Sequence, residues 1–239
     1  MLVDCHSHLY DVKNYEVPDD ILPVVVGYSY SSNRKAVEIA RGRYPYVLGI
    51  APQTAIKRGT EGLDEAIAFI RENRPVAIGE VGLDYKWAQT KEDVEKQKAV
   101  FQAMIDLADE MKLPLVIHSR NNPNENEVPK NAIEDIIGMI KGRKVLMHFY
   151  SGNAEQAGRI VAEGGYISIV HFRSKERRKV INTVTIDRLV VESDCPYVGR
   201  TPETIREAID YIAEVKGMDR GEVASKTTEN AMDFFGFKV

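Results

Sequence analysis

Cysteine is scarce in this chain: Cys5 and Cys195 are the only two in 239 residues. That count builds no disulfide framework and fits a reducing, cytoplasmic setting. Each cysteine reads as a small buried packing residue. No run of about 18 apolar residues occurs, so no membrane span is expected. The N-terminus lacks a basic region followed by an apolar stretch, so no secretory signal is expected. No Pro/Gly/Ser-rich linker and no low-complexity segment divides the chain, which is read as one domain over residues 1–239. An excess of positive charge is also missing. The 32 Lys and Arg face 36 Asp and Glu, for a net charge of −4. This excludes a protein that coats nucleic acid nonspecifically. It leaves room for a nucleic-acid enzyme in which a metal centre or a local basic rim holds phosphate.

What the sequence does have is alternation. Apolar runs cover residues 1–3, 21–27, 46–51, 76–79, 113–117, 144–147, 165–170 and 187–191. Continuous Val/Ile-rich runs suit strands covered on both faces, as in a parallel sheet. Helix-period segments lie between them. Ile133, Ile136, Ile137 and Ile140 share one face, as do Val100, Met104, Leu107, Ala108 and Met111, and Ile205, Ala208, Ile209 and Ile212. Thr90 with Asp93 predicts a capping box, and Thr201-Pro202 predicts a helix start. Strands alternating with helices in this way predict an α/β fold, a (β/α)8 TIM barrel. Residues 219–235 are expected to form a helical C-terminal tail closing it. An open doubly wound sheet would call for a Gly-rich phosphate loop, and the sequence has neither G-x-G-x-x-G nor a P-loop.

The side chains suited to metal binding follow the same rhythm. His6 and His8 stand two apart in the first strand, so alternation points them the same way. His118 and His148 end the fifth and sixth runs, Glu80 ends the fourth, and Asp194 follows the eighth. In a barrel, all of these meet at the C-terminal mouth, where active sites form. Four imidazoles and two carboxylates suffice for two divalent ions, with Glu80 as the natural bridge. Zn, Mn and Mg are the candidates, imidazole favouring the softer ions. The expected first set is His6, His8, Glu80 and Asp194, and the second is Glu80, His118 and His148.

Four local words stand around these residues: Gly79-Glu80-Val81-Gly82-Leu83-Asp84, Leu113-Pro114-Leu115-Val116-Ile117-His118-Ser119-Arg120, His148-Phe149-Tyr150-Ser151-Gly152 and Glu192-Ser193-Asp194-Cys195-Pro196-Tyr197. Together they resemble the TatD family of metal-dependent deoxyribonucleases, within the amidohydrolase superfamily. The ending, Asn230-Ala231 with Phe234-Phe235-Gly236, is similar too. The resemblance runs over nearly the whole chain. Departures fall at Ala51 and Gln53, where the family often has histidine, and at Asn121, where it usually has aspartate.

The resemblance implies hydrolysis of DNA or another phosphodiester by a hydroxide held between two metal ions. Asp194 is the candidate general base. Arg120, Tyr150 and His171 are candidate substrate contacts, and Tyr85, Trp87 and Tyr150 are loop aromatics that could stack on bases. Glu192, Asp4 and Asp84 are candidates for orienting ligands or fixing loops. The charged run after the seventh strand, residues 173–179, lies where barrel phosphate sites often form, and otherwise reads as a solvated helix face. Two other readings fit the same residues. One is a binuclear hydrolase of cyclic amides or related substrates, although many of those bridge their metals through a carboxylated lysine where this chain has Glu80. The other is a metal-holding barrel with a binding role.

Overall fold

The computed structural model describes residues 1–124 and 126–238. Eight strands occupy the apolar runs: β1 (Leu2–Ser7), β2 (Ile21–Val26), β3 (Tyr46–Leu48), β4 (Ala77–Asp84), β5 (Leu115–Arg120), β6 (Val145–Met147), β7 (Tyr166–Ile169) and β8 (Leu189–Val191). They pair in chain order, β1 to β8, and each pair is parallel. The ring closes where Ser7 bridges Cys195. There the Asp194 N–H donates to His6 O at 2.9 Å and the His8 N–H to Cys195 O at 2.8 Å. The architecture is the expected (β/α)8 barrel.

The helices are α1 (Tyr30–Ala40), α2 (Pro52–Arg58), α3 (Leu63–Asn73), α4 (Lys91–Met111), α5 (Ala132–Met139), α6 (Ala154–Ala162), α7 (Lys175–Thr183), α8 (Ile205–Lys216) and α9 (Arg220–Phe235). Their apolar stripes pack on the outside of the sheet. Met104, Ile133, Ile136 and Ile209 meet Ile78, Leu115, Ile117 and Met147 in one cluster. The other strand face points inward, where Val24, Val47, Val116, Leu146 and Val190 form a second cluster. Burial on both faces is why the strands read as unbroken apolar runs, each fully buried aliphatic side chain contributing roughly 1.5–3 kcal/mol.

The tail closes the barrel floor. Phe234 and Phe235 of α9 join the inner cluster. Asn230 Nδ2 donates to Ile186 O and Leu189 O, both at 2.7 Å, and the Tyr166 hydroxyl donates to Asp233 Oδ2 at 2.6 Å. These partners lie at strand starts, opposite the end that carries the histidines. The Thr90–Asp93 capping box forms as expected. Thr201 makes no side-chain cap; a 3-10 turn over Pro202–Thr204 leads into α8 instead. β3 stops at Leu48, short of residue 51, because Ala51 is the N-cap of α2 with Pro52 in its first turn. β8 begins only at Leu189, because Ile186–Arg188 forms a 3-10 turn. Among the described residues, no helix is long and apolar enough to cross a membrane.

Two strands break register, and both carry site residues. Asp4 pairs with Pro23 but Ser7 with Val25, so β1 has one more residue than β2 across that step. Ile78 pairs with Leu115 but Val81 with Ile117, giving β4 the same surplus over β5. Such bulges re-aim side chains beside active sites. The first falls at His6 and the second at Glu80. Glycines sit in and just past the second. Gly79 lies within it, where a Cβ would stand 2.6 Å from Val116 O, and Gly82 follows with φ +134°, where a Cβ would lie 2.1 Å from His118 O.

Candidate metal centre

His6, His8, Glu80, His118, His148 and Asp194 converge at the C-terminal mouth, as the sequence pattern predicts. Donor atoms about 2.1 Å from one tetrahedral ion lie about 3.4 Å from each other. The spacings here match. His6 Nε2 is 3.3 Å from His8 Nε2 and 3.6 Å from Glu80 Oε2. His8 Nε2 is 3.4 Å from Asp194 Oδ1. On the other side, Glu80 Oε1 is 3.5 Å from His148 Nε2 and 2.9 Å from His118 Nδ1. Glu80 therefore turns one oxygen to each histidine pair. Two groups, His6–His8–Asp194 and His6–Glu80–His148, have ligand atoms that all lie within 4.8 Å of one another. His6 belongs to both, since its ring stacks on His148 with centroids 3.8 Å apart.

The outer nitrogens fix which inner nitrogens carry lone pairs. His8 Nδ1 faces the Val26 carbonyl oxygen at 2.8 Å, His118 Nε2 faces Asp84 Oδ2 at 2.8 Å, and His148 Nδ1 faces Glu192 Oε1 at 3.1 Å. Each partner is an acceptor, so the outer nitrogen donates and the inner nitrogen of the neutral ring is left with its lone pair. Lone pairs and carboxylate oxygens then face one another in a buried space, an arrangement that calls for a cation or added protons. The donor set thus fits a divalent metal, and carboxylates behind metal-binding histidines are the usual outer support. His6 Nδ1 is buried without a protein partner.

The titration of the site points the same way. Burial works against charge on His118, but Asp84 and Glu80 outweigh it and raise its pKa to about 9. Burial likewise opposes charge on His8 and His148; Asp194 and Glu80 raise the first, and Glu192 and Glu80 raise the second well above the usual range. Glu80 and Asp194 move down despite burial, Glu80 under His148 and His118, Asp194 under His8 and His148. His6 moves down, from burial first and the neighbouring His148 second. The pocket stabilises positive charge among its carboxylates, which is the field a metal ion would experience.

Behind these groups stands a frame that the sequence only hinted at. Asp194 has φ +47° and Phe149, next to His148, has φ +40°. Non-glycine residues hold such conformations only when their surroundings impose them, commonly at functional sites. For Asp194 the restraint comes from Asp4. Its Oδ1 accepts the Ser193 N–H at 2.8 Å and its Oδ2 accepts the Ser193 hydroxyl at 2.6 Å, while Ser193 Oγ accepts the Cys195 N–H at 3.2 Å. For Phe149, the backbone N–H donates to Glu192 Oε1 at 2.6 Å. Glu192 and Asp84 thus orient ligand candidates, while Asp4 acts through Ser193.

A cavity of about 410 Å³ opens above the centre, and Arg120 lines it. Tyr150, expected to touch substrate, does not line this cavity. It is 3% exposed and its hydroxyl donates to Asn153 O, because Gly152 leaves room for the ring to turn inward. Tyr85 is fully buried, with its hydroxyl bonded to Asp135, so it cannot stack on a base either. His171 lies outside the cavity wall, its ring 4.2 Å from that of Phe172. Trp87 is exposed. The aromatic walls are instead Tyr28, Tyr197 and Phe149. Tyr197 belonged to a recognised word, whereas only the position of Tyr28 just past β2 could have singled it out. Among the departures, Gln53 lines the cavity and donates from Nε2 to Asp84 Oδ2 at 3.0 Å. Asn121 accepts the Ile133 N–H at 3.2 Å at the start of α5, a structural role.

A parallel barrel with histidines and carboxylates gathered at its C-terminal mouth is the arrangement of a metal-dependent hydrolase. The family model for TatD-related DNases matches residues 3–236. The uncharacterized metal-dependent hydrolase YabD of Bacillus subtilis is 32% identical, covering 98% of this chain and 99% of its own length. Human deoxyribonuclease TATDN3 is 30% identical, covering 98% and 94%. Among solved structures, a TatD-family hydrolase from Entamoeba histolytica superposes with a TM-score of 0.82 at 21% identity, over 98% and 97% of the two chains. The chain belongs to the TatD-related DNase family.

Proposed function

We propose that this protein is a deoxyribonuclease or closely related phosphodiesterase that works with two divalent ions. His6, His8, Glu80 and Asp194 would hold the first ion; Glu80, His118 and His148 would hold the second. The observation that carries this reading is the divided Glu80 carboxylate, with Oε2 toward His6 and His8 and Oε1 toward His118 and His148. When bound there, such ions would make water more acidic and offset negative charge on a phosphodiester. The names of relatives such as human deoxyribonuclease TATDN3 support DNA as the substrate class.

The protein's own side chains have separate tasks. Asp194, held in its left-handed backbone by the Asp4–Ser193 contact, takes the proton of the attacking water and passes it toward the leaving group. Arg120 at the rim offers a planar fork for a phosphate oxygen. Tyr28, Tyr197 and Phe149 present ring faces to bases. The two free, buried cysteines support a reducing cytoplasmic setting.

The test is metal analysis of the purified protein, followed by assays with single-stranded DNA, duplex DNA, RNA and a cyclic-amide panel under Mg, Mn and Zn. Nucleic-acid cleavage is expected, and Asp194→Asn should lower it by about 10²–10⁴-fold. Hydrolysis of the amide panel alone, or an Asp194→Asn variant as active as the parent, would refute the reading.

A further inference from the structure

The charged run after β7 contains a half-buried cation that its neighbours do not neutralise. Arg173 and Arg178 both pair with Glu214, and Lys179 pairs with Glu176 at 2.7 Å. Arg177 has no salt bridge among the described residues. Its Nη1 donates to Phe172 O at 2.6 Å, and its Nε is buried without a hydrogen-bond partner in the protein. Burial strips solvent from the guanidinium and pulls its pKa down. A half-buried guanidinium with an unmatched donor is costly unless an anion completes it.

Its position says which anion. The guanidinium carbon lies 5.7 Å from the centroid of Phe149, a ring in the cavity wall. Phe149 follows His148, with ring centroids 6.4 Å apart. Arg177 is therefore two ring contacts from the metal-facing histidine and beyond the site of bond cleavage. Phe172 is 46% exposed and packs 6.4 Å from Phe149, so a second ring face stands beside the cation. Loops after the seventh and eighth barrel strands commonly hold phosphate, and arginine binds it through two parallel N–H bonds.

We propose that Arg177, flanked by Phe149 and Phe172, forms a subsite for a second phosphate of the substrate, one nucleotide removed from the phosphodiester that is cut. This rests on the phosphodiesterase reading above and extends it. The enzyme then favours a nucleotide chain over an isolated diester. The competing role for Arg177 is as countercharge to Glu192, whose Oε2 is buried without a partner. A countercharge would act through His148 and affect every substrate alike.

Two measurements separate these roles, both on the metal-loaded full-length protein. The first compares KM and kcat for the dinucleotide TpT with those for pTpT and TpTp, which carry one more phosphate at either end. In the Arg177→Gln variant, KM for one of the extended substrates is expected to rise about tenfold or more relative to KM for TpT, the scale of a lost charged hydrogen bond. Arg177→Lys, which keeps the charge and tests the case where the glutamine variant does not fold, should fall between. Equal losses on all three substrates, or no change on any, overturn the proposal. The second is calorimetric titration with thymidine 3′,5′-bisphosphate and with each thymidine monophosphate. Tighter binding of the bisphosphate that disappears in Arg177→Gln supports the subsite even if no phosphodiester is cut, in which case only the phosphodiesterase reading falls. Bisphosphate binding that the substitution does not change removes the subsite and leaves that reading to the kinetics.

Discussion

Asp4 grips Ser193 twice, at 2.8 Å through the backbone N–H and at 2.6 Å through the hydroxyl, and so ties the start of β1 to the residue before Asp194. All of these groups are buried, and Asp194 itself keeps a left-handed backbone. Removing the hydroxyl strands both Asp4 Oδ2 and the Cys195 N–H. Ser193→Ala is expected to cost about 1–3 kcal/mol in stability. It should also lower kcat more than it raises KM, because Asp194 loses its support while the cavity walls keep theirs. Denaturant unfolding and steady-state kinetics on one preparation check both parts, and an unchanged kcat would show that Asp194 needs no such restraint.

Metal uptake should depend on pH in a definite direction. His118 carries a pKa raised to about 9, so it holds a proton near neutrality in the metal-free protein, and His8 is shifted in the same direction by Asp194 and Glu80. A metal ion must displace that proton. Apparent affinity for Zn or Mn is expected to climb from pH 6.5 toward 9 and then level off. Calorimetry in two buffers of different ionisation heat measures the protons released; identical heats in both would contradict the assignment.

The same proton sets the stability of the metal-free form. A histidine with a raised folded-state pKa contributes stability that is complete below its unfolded value near 6.5 and lost as pH rises through the folded value. For His118 that window runs from 6.5 to about 9. The melting temperature of chelator-treated protein should decline across it, while the metal-loaded protein stays flatter. Parallel melting curves with and without metal provide the comparison, and a flat apo curve would contradict it.

Ligand substitutions should be unequal. His8 stands only in the group with His6 and Asp194, whereas His6 stands in both groups. His8→Ala is expected to lose the first ion and keep the second; His6→Ala should lose the first and, by removing the ring that stacks on His148, loosen the second. Elemental analysis after desalting distinguishes one retained ion from none; two ions retained in His6→Ala would break the assignment.

Gly82 tests the close approach of β4 and β5 just past the bulge in β4. A Cβ there meets His118 O at 2.1 Å, and φ is +134°. Gly82→Ala combines backbone strain with overpacking, each worth about 1–3 kcal/mol. The β4–β5 approach beside Glu80 and His118 should open, lowering the denaturation midpoint and metal content together. Normal metal content would mean that the strand approach survives without Gly82.

The sequence alone determined the barrel, because burial on both faces of each strand writes an apolar run, and helix faces write a 3.6-residue period. It also determined the six site candidates, since His and carboxylate side chains in or just past the first, fourth, fifth, sixth and eighth strands point to one mouth. Tertiary structure decided what local pattern does not encode. Alternation alone does not reveal the bulges at His6 and Glu80, which arise from register against β2 and β5. Glu192 behind His148 and Asp84 behind His118 are contacts across strands, invisible along one of them. Tyr150 shows the limit most plainly. Its place beside His148 suggested a substrate contact, but the space left by Gly152 drew the ring inward. Position in a strand or loop fixes where a side chain begins, and only packing against the rest of the chain fixes where it ends.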